Sequence, residues 1–260
     1  MKILNFGSLN IDLVYTVDHF VRPGETISSL RFERFCGGKG SNQSIALARA
    51  GADVYHAGLI GQDGAFLKEN LADCGVHTEF IRTVEAPSGN ALIQVDNTGQ
   101  NSIVLYAGAN RQFSKSYIDE VLSHFSQGDM VLLQNEVNNT DYMVESAYKK
   151  GLTIALNPSP MDDLIYGMDL SKITYFILNE IEGRDLTGTE IPREITRRLK
   201  KKYPLCRVVL TLGKEGVLYY DGIQEIHHGI FDVPVVDTTA AGDTFTGYFL
   251  AMIMAGESVP

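Results

Sequence analysis

The chain has 260 residues, a length that allows one large α/β domain or one domain with a smaller appendage. Its 22 Lys and Arg residues against 32 Asp and Glu residues give a formal net charge of −10, which argues against nucleic acid as a partner. With 44% hydrophobic and 21% charged residues, the composition is that of a folded globular protein and excludes a disordered one.

The N-terminus and the cysteines predict the compartment. The first residues turn polar too early for a signal peptide, and Cys36, Cys74 and Cys206 are too few and too widely spaced for a disulfide framework. Apolar stretches such as 248–255 are far shorter than the roughly 20 residues that cross a bilayer. We therefore expect a reduced, cytoplasmic protein with no membrane partner.

The first polar pattern in the chain is Gly-Ser-Leu-Asn-Ile-Asp at residues 7–12. Its spacing places Asn10 and Asp12 on the same side of an extended segment. An amide beside a carboxylate suits the recognition of hydroxyl groups, although such pairs more often form turns.

Two regions are predicted to form hairpins, residues 11–35 and residues 88–108, the second with a turn at 96–99 between two apolar runs. Their strands can pair into a small sheet that covers a site as a lid, or they can extend the main sheet, and the pattern alone does not separate the two. Apolar residues such as Val14 and Leu92 favour a homodimer through this lid.

A glycine cluster at residues 37–42 precedes a predicted helix. It is not a nucleotide-binding P-loop, because Gly40 follows Lys39 where Ser or Thr is required. A hinge with Ser41 as the helix cap explains the glycines but leaves Lys39 and Asn42 without a role.

From about residue 52 to residue 212, short apolar runs alternate with amphipathic stretches. The predicted strands are 54–60, 130–133, 153–156, 175–178 and 208–212, and the predicted helices are 66–74, 142–150 and 195–203. Gly51, Gly75 and Gly151 stand where a left-handed residue closes a helix. This alternation predicts an α/β fold, a doubly wound and mostly parallel sheet with helices on both faces.

Polar residues follow these strands at the edge where such sheets bind ligands. Asn179 and Glu182 carry oxygen groups that can hold the water shell of Mg²⁺, but acids there equally suit the start of a helix. Glu136 follows strand 130–133 at the same edge, and the pattern alone does not decide its role. Gly213 and Gly216 follow Thr211 and permit a nucleotide to lie against the backbone, or they form a plain turn between strands.

The last motif is a turn of small residues between a predicted strand at 233–236 and a helix. Ala240, Ala241 and Gly242 allow a phosphate to approach the backbone N–H groups at the helix start. Asp243 can accept a proton from an attacking hydroxyl, or it can be the N-cap, and the motif alone slightly favours the N-cap.

Taken together, these motifs resemble the ribokinase family of sugar and nucleoside kinases. The two fingerprints are residues 37–43 and 237–247, and the segments 23–26, 107–110, 133–136, 156–160 and 179–182 match in order and spacing. The resemblance spans the chain and implies an α/β domain with a β-sheet lid. It also implies transfer of the γ-phosphoryl group of ATP to a primary hydroxyl, with D-ribose as the expected sugar.

The resemblance further implies roles for individual residues. The sugar would be held by Asn10, Asp12, Gly38, Lys39, Asn42 and Glu136, and ATP by Asn179, Thr211, Gly213 and Gly216. Glu182 would order the Mg²⁺ shell, and Asp237 and Thr239 would bind an activating monovalent cation, K⁺. Asp243 would be the base, and the backbone of Ala240, Ala241 and Gly242 would neutralise charge on the phosphoryl group.

Two departures keep other readings open. Ser41 replaces the usual Ala, and residues 135–139 are more polar than usual, so a fructose, 2-keto-3-deoxygluconate or nucleoside kinase remains an alternative, as does a non-catalytic sugar-binding regulator. Family members continue for several dozen residues beyond the helix after Asp243, so we expect residues 1–260 to form one ribokinase-like domain whose family fold continues past Pro260.

Overall fold

The computed structural model of the protein describes residues 1–234 and 238–259. The strands are β1 (Ile3–Phe6), β2 (Asn10–Thr16), β3 (Arg31–Gly37), β4 (Val54–Ile60), β5 (Ile81–Thr83), β6 (Gly89–Val95), β7 (Asn101–Tyr106), β8 (Met130–Gln134), β9 (Thr153–Asn157), β10 (Tyr175–Asn179), β11 (Arg207–Thr211), β12 (Val217–Tyr220) and β13 (Glu225–His228). The helices are α1 (Lys39–Arg49), α2 (Ala65–Asp73), α3 (Lys115–Leu122), α4 (Thr140–Lys149), α5 (Asp163–Tyr166), α6 (Glu180–Thr187), α7 (Pro192–Lys202) and α8 (Ala241–Met254). None of the helices in this described part of the chain is long and apolar enough to cross a membrane.

The larger sheet has the strand order β13-β12-β11-β10-β9-β8-β1-β4-β5. Its pairs are parallel except β11 with β12 and β12 with β13, which confirms the predicted α/β fold. The strand order reverses between β1 and β8, and the loops that leave these two strands therefore diverge. A reversal of this kind opens a crevice at the carboxyl ends of the strands, where doubly wound sheets bind their ligands.

The two predicted hairpin regions form a separate sheet with the order β3-β2-β6-β7, which we call the lid. β2 pairs antiparallel with β3, β6 pairs antiparallel with β7, and β2 pairs with β6 in parallel. The small-sheet prediction is thus confirmed, and the alternative, an extension of the main sheet, is wrong. The parallel pairing of β2 with β6 joins the two regions into one sheet.

Apolar side chains form a core on each face of the larger sheet. On one face, Leu47 of α1, Leu71 of α2 and Leu250 of α8 pack against the strands. On the other face, the core includes Val121 of α3 and Ile195 of α7. Helices on both faces are what the alternation of strand and helix predicted.

Two close backbone approaches bring the site elements together. The Cα atom of Gly7 lies where a side chain on Gly40 would begin, 2.3 Å from an ideal Cβ, so the start of α1 packs directly on the β1–β2 connection. Gly247 of α8 similarly faces Ala46 of α1, and a methyl group there would meet its Cβ at 2.4 Å. Glycine at both positions is required by packing, because any Cβ would overlap its neighbour.

Candidate active site

The Asp243 carboxylate lies in the first turn of α8 and is only 6% exposed. The helix begins at Ala241, and the N-cap position belongs to Ala240, which has a φ of +57°. The prediction that Asp243 is the N-cap is therefore wrong. Its side chain instead turns toward α1, because the left-handed turn at Ala240 starts the helix before Asp243 is reached.

Three side chains of α1 donate hydrogen bonds to this carboxylate. Gln43 Nε2 lies 2.8 Å from Asp243 Oδ1, Lys39 Nζ lies 3.3 Å from the same oxygen, and Asn42 Nδ2 lies 3.4 Å from Oδ2. The Lys39 ammonium is a charge partner for a carboxylate that has little access to water. The predicted cap at Ser41 is wrong, since α1 begins at Lys39 with Gly38 as its N-cap.

Glu136 joins the start of α1 to the end of β1. Its Oε2 accepts a hydrogen bond from the Ser8 hydroxyl and another, at 3.1 Å, from the backbone N–H of Lys39. The Ser8 hydroxyl in turn accepts from the N–H of Gly40 at 3.2 Å. Ser8 had no role in the sequence analysis, because a buried serine after a strand resembles any other loop residue.

Asp12 and Asn10 reach the site from the lid strand β2. The Asp12 carboxyl packs against Gly37, within 2.3 Å of where a side chain there would begin. Burial, and next the negative charge of Glu136, raise the pKa of Asp12 to about 6. Asn10 Oδ1 accepts a hydrogen bond from Asn110 Nδ2 at 2.8 Å, so Asn110 fixes its amide. The predicted sugar residues of the lid and of the main domain therefore lie close together.

A small cavity of about 90 Å³ lies beside Asp243 and is lined by residues of the main domain. The predicted residues that line it are Lys39, Asn179, Glu182, Thr211, Gly242 and Asp243, together with Asn157 and Ser159. The residues predicted to be the base, the Mg²⁺-ordering acid and two ATP contacts therefore share one space.

Asn179 and Glu182 form a capping box at the start of α6. Asn179 Oδ1 accepts from the N–H of Glu182 at 2.9 Å, and Glu182 Oε2 accepts from the N–H of Asn179 at 3.0 Å. Burial raises the pKa of Glu182, and the hydrogen bond from Asn179 opposes that shift. The expectation that this segment begins a helix is confirmed, and the segment also faces the cavity, where the Mg²⁺ role of Glu182 stays a prediction.

The remaining predicted residues have mixed outcomes. Gly213 and Gly216 lie in the turn between the antiparallel strands β11 and β12, as the plain-turn alternative predicted, and they do not line the cavity. Thr239 lies in the turn before α8, and Asp237 falls outside the described residues.

The strand predicted at 233–236 is described only at residues 233–234. These two residues, like 231–232 before them, have no regular secondary structure, so the prediction is wrong there. Within residues 1–234 and 238–259, no cluster of three or more His, Cys, Asp or Glu side chains is placed to hold a metal ion.

Comparisons with known proteins agree with this architecture. The family model described as pfkB family carbohydrate kinase matches residues 1–260. A Haemophilus influenzae protein named ribokinase is 36% identical over 262 residues, which cover 97% of this chain and 85% of that protein. The structure of a Cryptococcus neoformans ribokinase in complex with ADP is 35% identical, with a TM-score of 0.85 over 99% of this chain and 88% of that one. The structure of Arabidopsis thaliana ribokinase complexed with ribose and ATP is 30% identical, with a TM-score of 0.85 over 99% and 87% of the two chains.

Proposed function

The chain belongs to the pfkB family of carbohydrate kinases, and from this membership and the geometry of its site we propose that it phosphorylates D-ribose with ATP to give ribose 5-phosphate. The observation that supports this most strongly is the Asp243 carboxylate, buried between the lid-side acids and the small cavity. The fructose, 2-keto-3-deoxygluconate, nucleoside and regulator alternatives are not favoured, because the three similar proteins described above are named ribokinase.

Ribose binds, in this proposal, between the lid and the start of α1. The carboxylates of Asp12 and Glu136 accept hydrogen bonds from sugar hydroxyls, and Asn10 adds an amide already oriented by Asn110. Gly38, Lys39 and Asn42 complete the sugar site. The amide of Lys39 donates to Glu136, so the glycine cluster and the acid are already held together before the sugar arrives.

Phosphoryl transfer then proceeds beside Asp243. The O5 hydroxyl oxygen of ribose forms a bond to the γ-phosphorus as the bond from that phosphorus to the bridging oxygen of ADP breaks, and the O5 proton passes to Asp243. The start of α8, residues 240–243, supplies a positive helix end for the charge on the moving phosphoryl group. Within this turn, the N–H of Ala241 donates to the carbonyl oxygen of Thr238 at 3.1 Å, which fixes the start of the helix.

The residues around the cavity fit the proposed cofactors. Asn179 and Thr211 face the space where the ATP phosphates would lie. Gly213 and Gly216 lie in the turn that follows Thr211, outside this cavity, and remain proposed ATP contacts. Besides the proposed base Asp243, the cavity is lined by the buried carboxylate of Glu182, which suits Mg²⁺ that keeps most of its water ligands, and Mg²⁺ would neutralise phosphate charge. Asp237 and Thr239 remain the proposed K⁺ ligands. ATP use also supports a cytoplasmic location.

The function is tested by measuring ADP release with ATP, Mg²⁺ and a panel of ribose, deoxyribose, fructose, adenosine, pseudouridine and 2-keto-3-deoxygluconate. We expect the highest kcat/KM with ribose, ribose 5-phosphate as the product, and a higher rate in K⁺ than in Na⁺. Faster turnover of another acceptor would show that the substrate is wrong. Ribose binding without ADP release would instead indicate a regulator.

Ribose affinity should fall as the pH drops below about 6, because Asp12, with its pKa raised to about 6, becomes protonated and loses the charge that strengthens its hydrogen bonds. Because a hydrogen bond to a charged group is worth about 1.5 to 3 kcal/mol, its weakening should raise the ribose KM by about tenfold or more. Measurement of KM from pH 5 to 8 tests this, with Asp12→Asn as the matched control. The Asn variant should bind weakly and lose most of this pH dependence, and an unchanged profile in that variant would assign the titration to another group.

The lid also supports a proposed homodimer. Its strands expose apolar side chains, including Phe32 at 53%, Val104 at 65% and Leu105 at 58%, which a second lid can cover. We expect the protein to sediment as a dimer and Val104→Asp to sediment as a monomer. Ile223→Asp is the control, because Ile223 is 93% exposed outside the lid. A monomeric wild type, or a Val104→Asp dimer as tight as wild type, would exclude this interface.

A further inference from the structure

A line of buried amide side chains leads from Asp243 into the interior beneath the site. Gln43 and Asn5 are fully buried, and Gln134 is 1% exposed. Gln43 Nε2 donates to Asp243 Oδ1 at 2.8 Å, and Gln134 Nε2 donates to Gln43 Oε1 at 2.7 Å and to Asn5 Oδ1 at 3.0 Å. These residues come from α1, β8 and β1, so the line crosses the reversal in strand order.

The direction of every hydrogen bond in this line is set by Asp243. An ionised carboxylate only accepts hydrogen bonds, so Gln43 must turn its NH₂ group toward Asp243 and its oxygen toward Gln134. Gln134 must then present its own NH₂ group, whose two hydrogens bind Gln43 and Asn5. The second hydrogen of Gln43 binds Asn157 Oδ1 at 3.2 Å.

The orientation of Gln134 leaves one polar atom unsatisfied. Within the described part of the chain, Gln134 Oε1 is buried and has no hydrogen-bond partner. Reversing the amide would place Oε1 against the oxygens of Gln43 and Asn5, which is worse because all three atoms are acceptors. A buried polar atom without a partner costs free energy. The hydrogen bonds that the present orientation of Gln134 makes to Gln43 and Asn5 therefore outweigh the cost of leaving Oε1 unpaired.

At its far end, the line is fixed to the backbone at Gly40, in the first turn of α1, and at Gly7, in the β1–β2 connection. Asn5 Nδ2 donates to the carbonyl of Gly40 and to Ser44 Oγ, each at 2.8 Å. Burial lowers the pKa of His56 to about 4, so its ring is neutral at pH 7. His56 Nε2 lies 3.2 Å from the carbonyl of Gly7 and must donate to it, which leaves Nδ1 to accept from Ser44 at 2.8 Å. Each donor in this group therefore faces an acceptor, from Asn5 through Ser44 and His56 to the carbonyl of Gly7.

We propose that Gln43 and Gln134 are positioning residues for phosphoryl transfer, which hold the Asp243 carboxylate in one orientation and reserve its Oδ2 atom for the substrate proton. Oδ1 already accepts from Gln43 at 2.8 Å and from Lys39 at 3.3 Å. Oδ2 has the longer contact of 3.4 Å, from Asn42. The inference rests on the proposed function, in which Asp243 takes the proton from the sugar hydroxyl.

Two variants of Gln43 separate positioning from packing. Gln43→Met keeps the length of the side chain but removes its hydrogen bonds, so kcat should fall by about 10- to 100-fold while the KM values for ribose and ATP change little. Gln43→Glu keeps the acceptor for Gln134 but places a second carboxylate against Asp243. The other charged groups facing that pair are Lys39 of α1 and Glu182 of α6. Because adjacent carboxylates share a proton, the acidic limb of the kcat–pH profile should move up by about one unit or more.

A third variant and a control complete the experiment. Gln134→Met removes the donor that orients Gln43, together with the hydrogen bond to Asn5, but leaves the bond from Gln43 to Asp243 in place. We therefore expect a smaller loss of kcat than with Gln43→Met. Thr196→Val is the control, because Thr196 is fully buried in α7 and its hydroxyl donates at 3.1 Å to a carbonyl remote from the site. This control should lose stability and keep its kcat and pH profile. Isothermal titration calorimetry with ribose measures the binding stoichiometry of each variant, which reports its folded, binding-competent fraction.

The outcomes distinguish the two proposals. An active wild type with Gln43 variants that keep both kcat and the acidic limb would overturn the positioning role and leave the kinase function intact. A loss of kcat that Thr196→Val shares would also overturn it, since the effect would then follow stability. A wild type that phosphorylates no sugar would overturn the proposed function and this inference together.

Discussion

Asp243→Asn is expected to lower kcat by about 10²- to 10⁴-fold, the usual contribution of a positioned general base. Asparagine has the same size and its oxygen can still accept from Gln43, so the thermal midpoint should change little. It cannot take up the proton of the sugar hydroxyl. The measurement is kcat at saturating ribose and ATP together with calorimetric unfolding.

Asp141→Asn is a matched control for this substitution. Asp141 also lies in the first turn of a helix, α4, but it is exposed and does not line the cavity beside Asp243. Its kcat should equal that of the wild type. If Asp243→Asn turns over ribose nearly as fast as this control, Asp243 is not the base.

Gly40→Ala should be among the most disruptive single changes of one methyl group in this chain. The new Cβ would lie 2.3 Å from the Cα of Gly7 and 2.4 Å from the N of Ser8, and backbone atoms cannot rotate away as side chains can. We expect the free energy of unfolding to fall by about 3 kcal/mol, the upper part of the usual range for overpacking. The ribose KM should also rise, because separating α1 from the β1–β2 connection moves Lys39 away from Glu136.

Denaturant unfolding of Gly229→Ala is the control for that prediction. Gly229 has no heavy atom within 4 Å of an ideal Cβ and no left-handed φ, so alanine should change its stability by less than about 0.5 kcal/mol. Equal midpoints for Gly40→Ala and Gly229→Ala would mean that the loop and the helix separate at no cost, contrary to the close packing described above.

The main fold could be predicted from the sequence because short apolar runs, typical of buried strands, alternate with amphipathic stretches, typical of helices. The pairing of the lid strands could not, since alternating residues such as those of β2 and β6 look the same in either sheet. Only the long-range parallel contact of β2 with β6 decides which sheet they join.

The site was predicted in part, for a related reason. Lys39, Asp243 and Glu136 belong to short motifs that stand out in the sequence. Gln134 lies within an apolar strand and Gln43 within a helix, where a polar residue is indistinguishable from an exposed one until the packing of that element is known. The prediction that Asp243 is the N-cap was wrong because it misplaced the start of α8. That start depends on the left-handed turn at Ala240 and not on residue type.

The continuity of β1 with β2 has a mechanical consequence. Only residues 7–9 separate a strand at the centre of the main sheet from a strand of the lid, and Asn10 and Asp12 lie on the lid side of that short connection. Any rotation of the lid about residues 7–9 would therefore carry these two proposed sugar-binding side chains with it as one unit. In the proposed site, opening the lid therefore withdraws two of the sugar contacts at the same moment that it uncovers the sugar, so the dissociation rate of ribose should depend on how fast the lid opens.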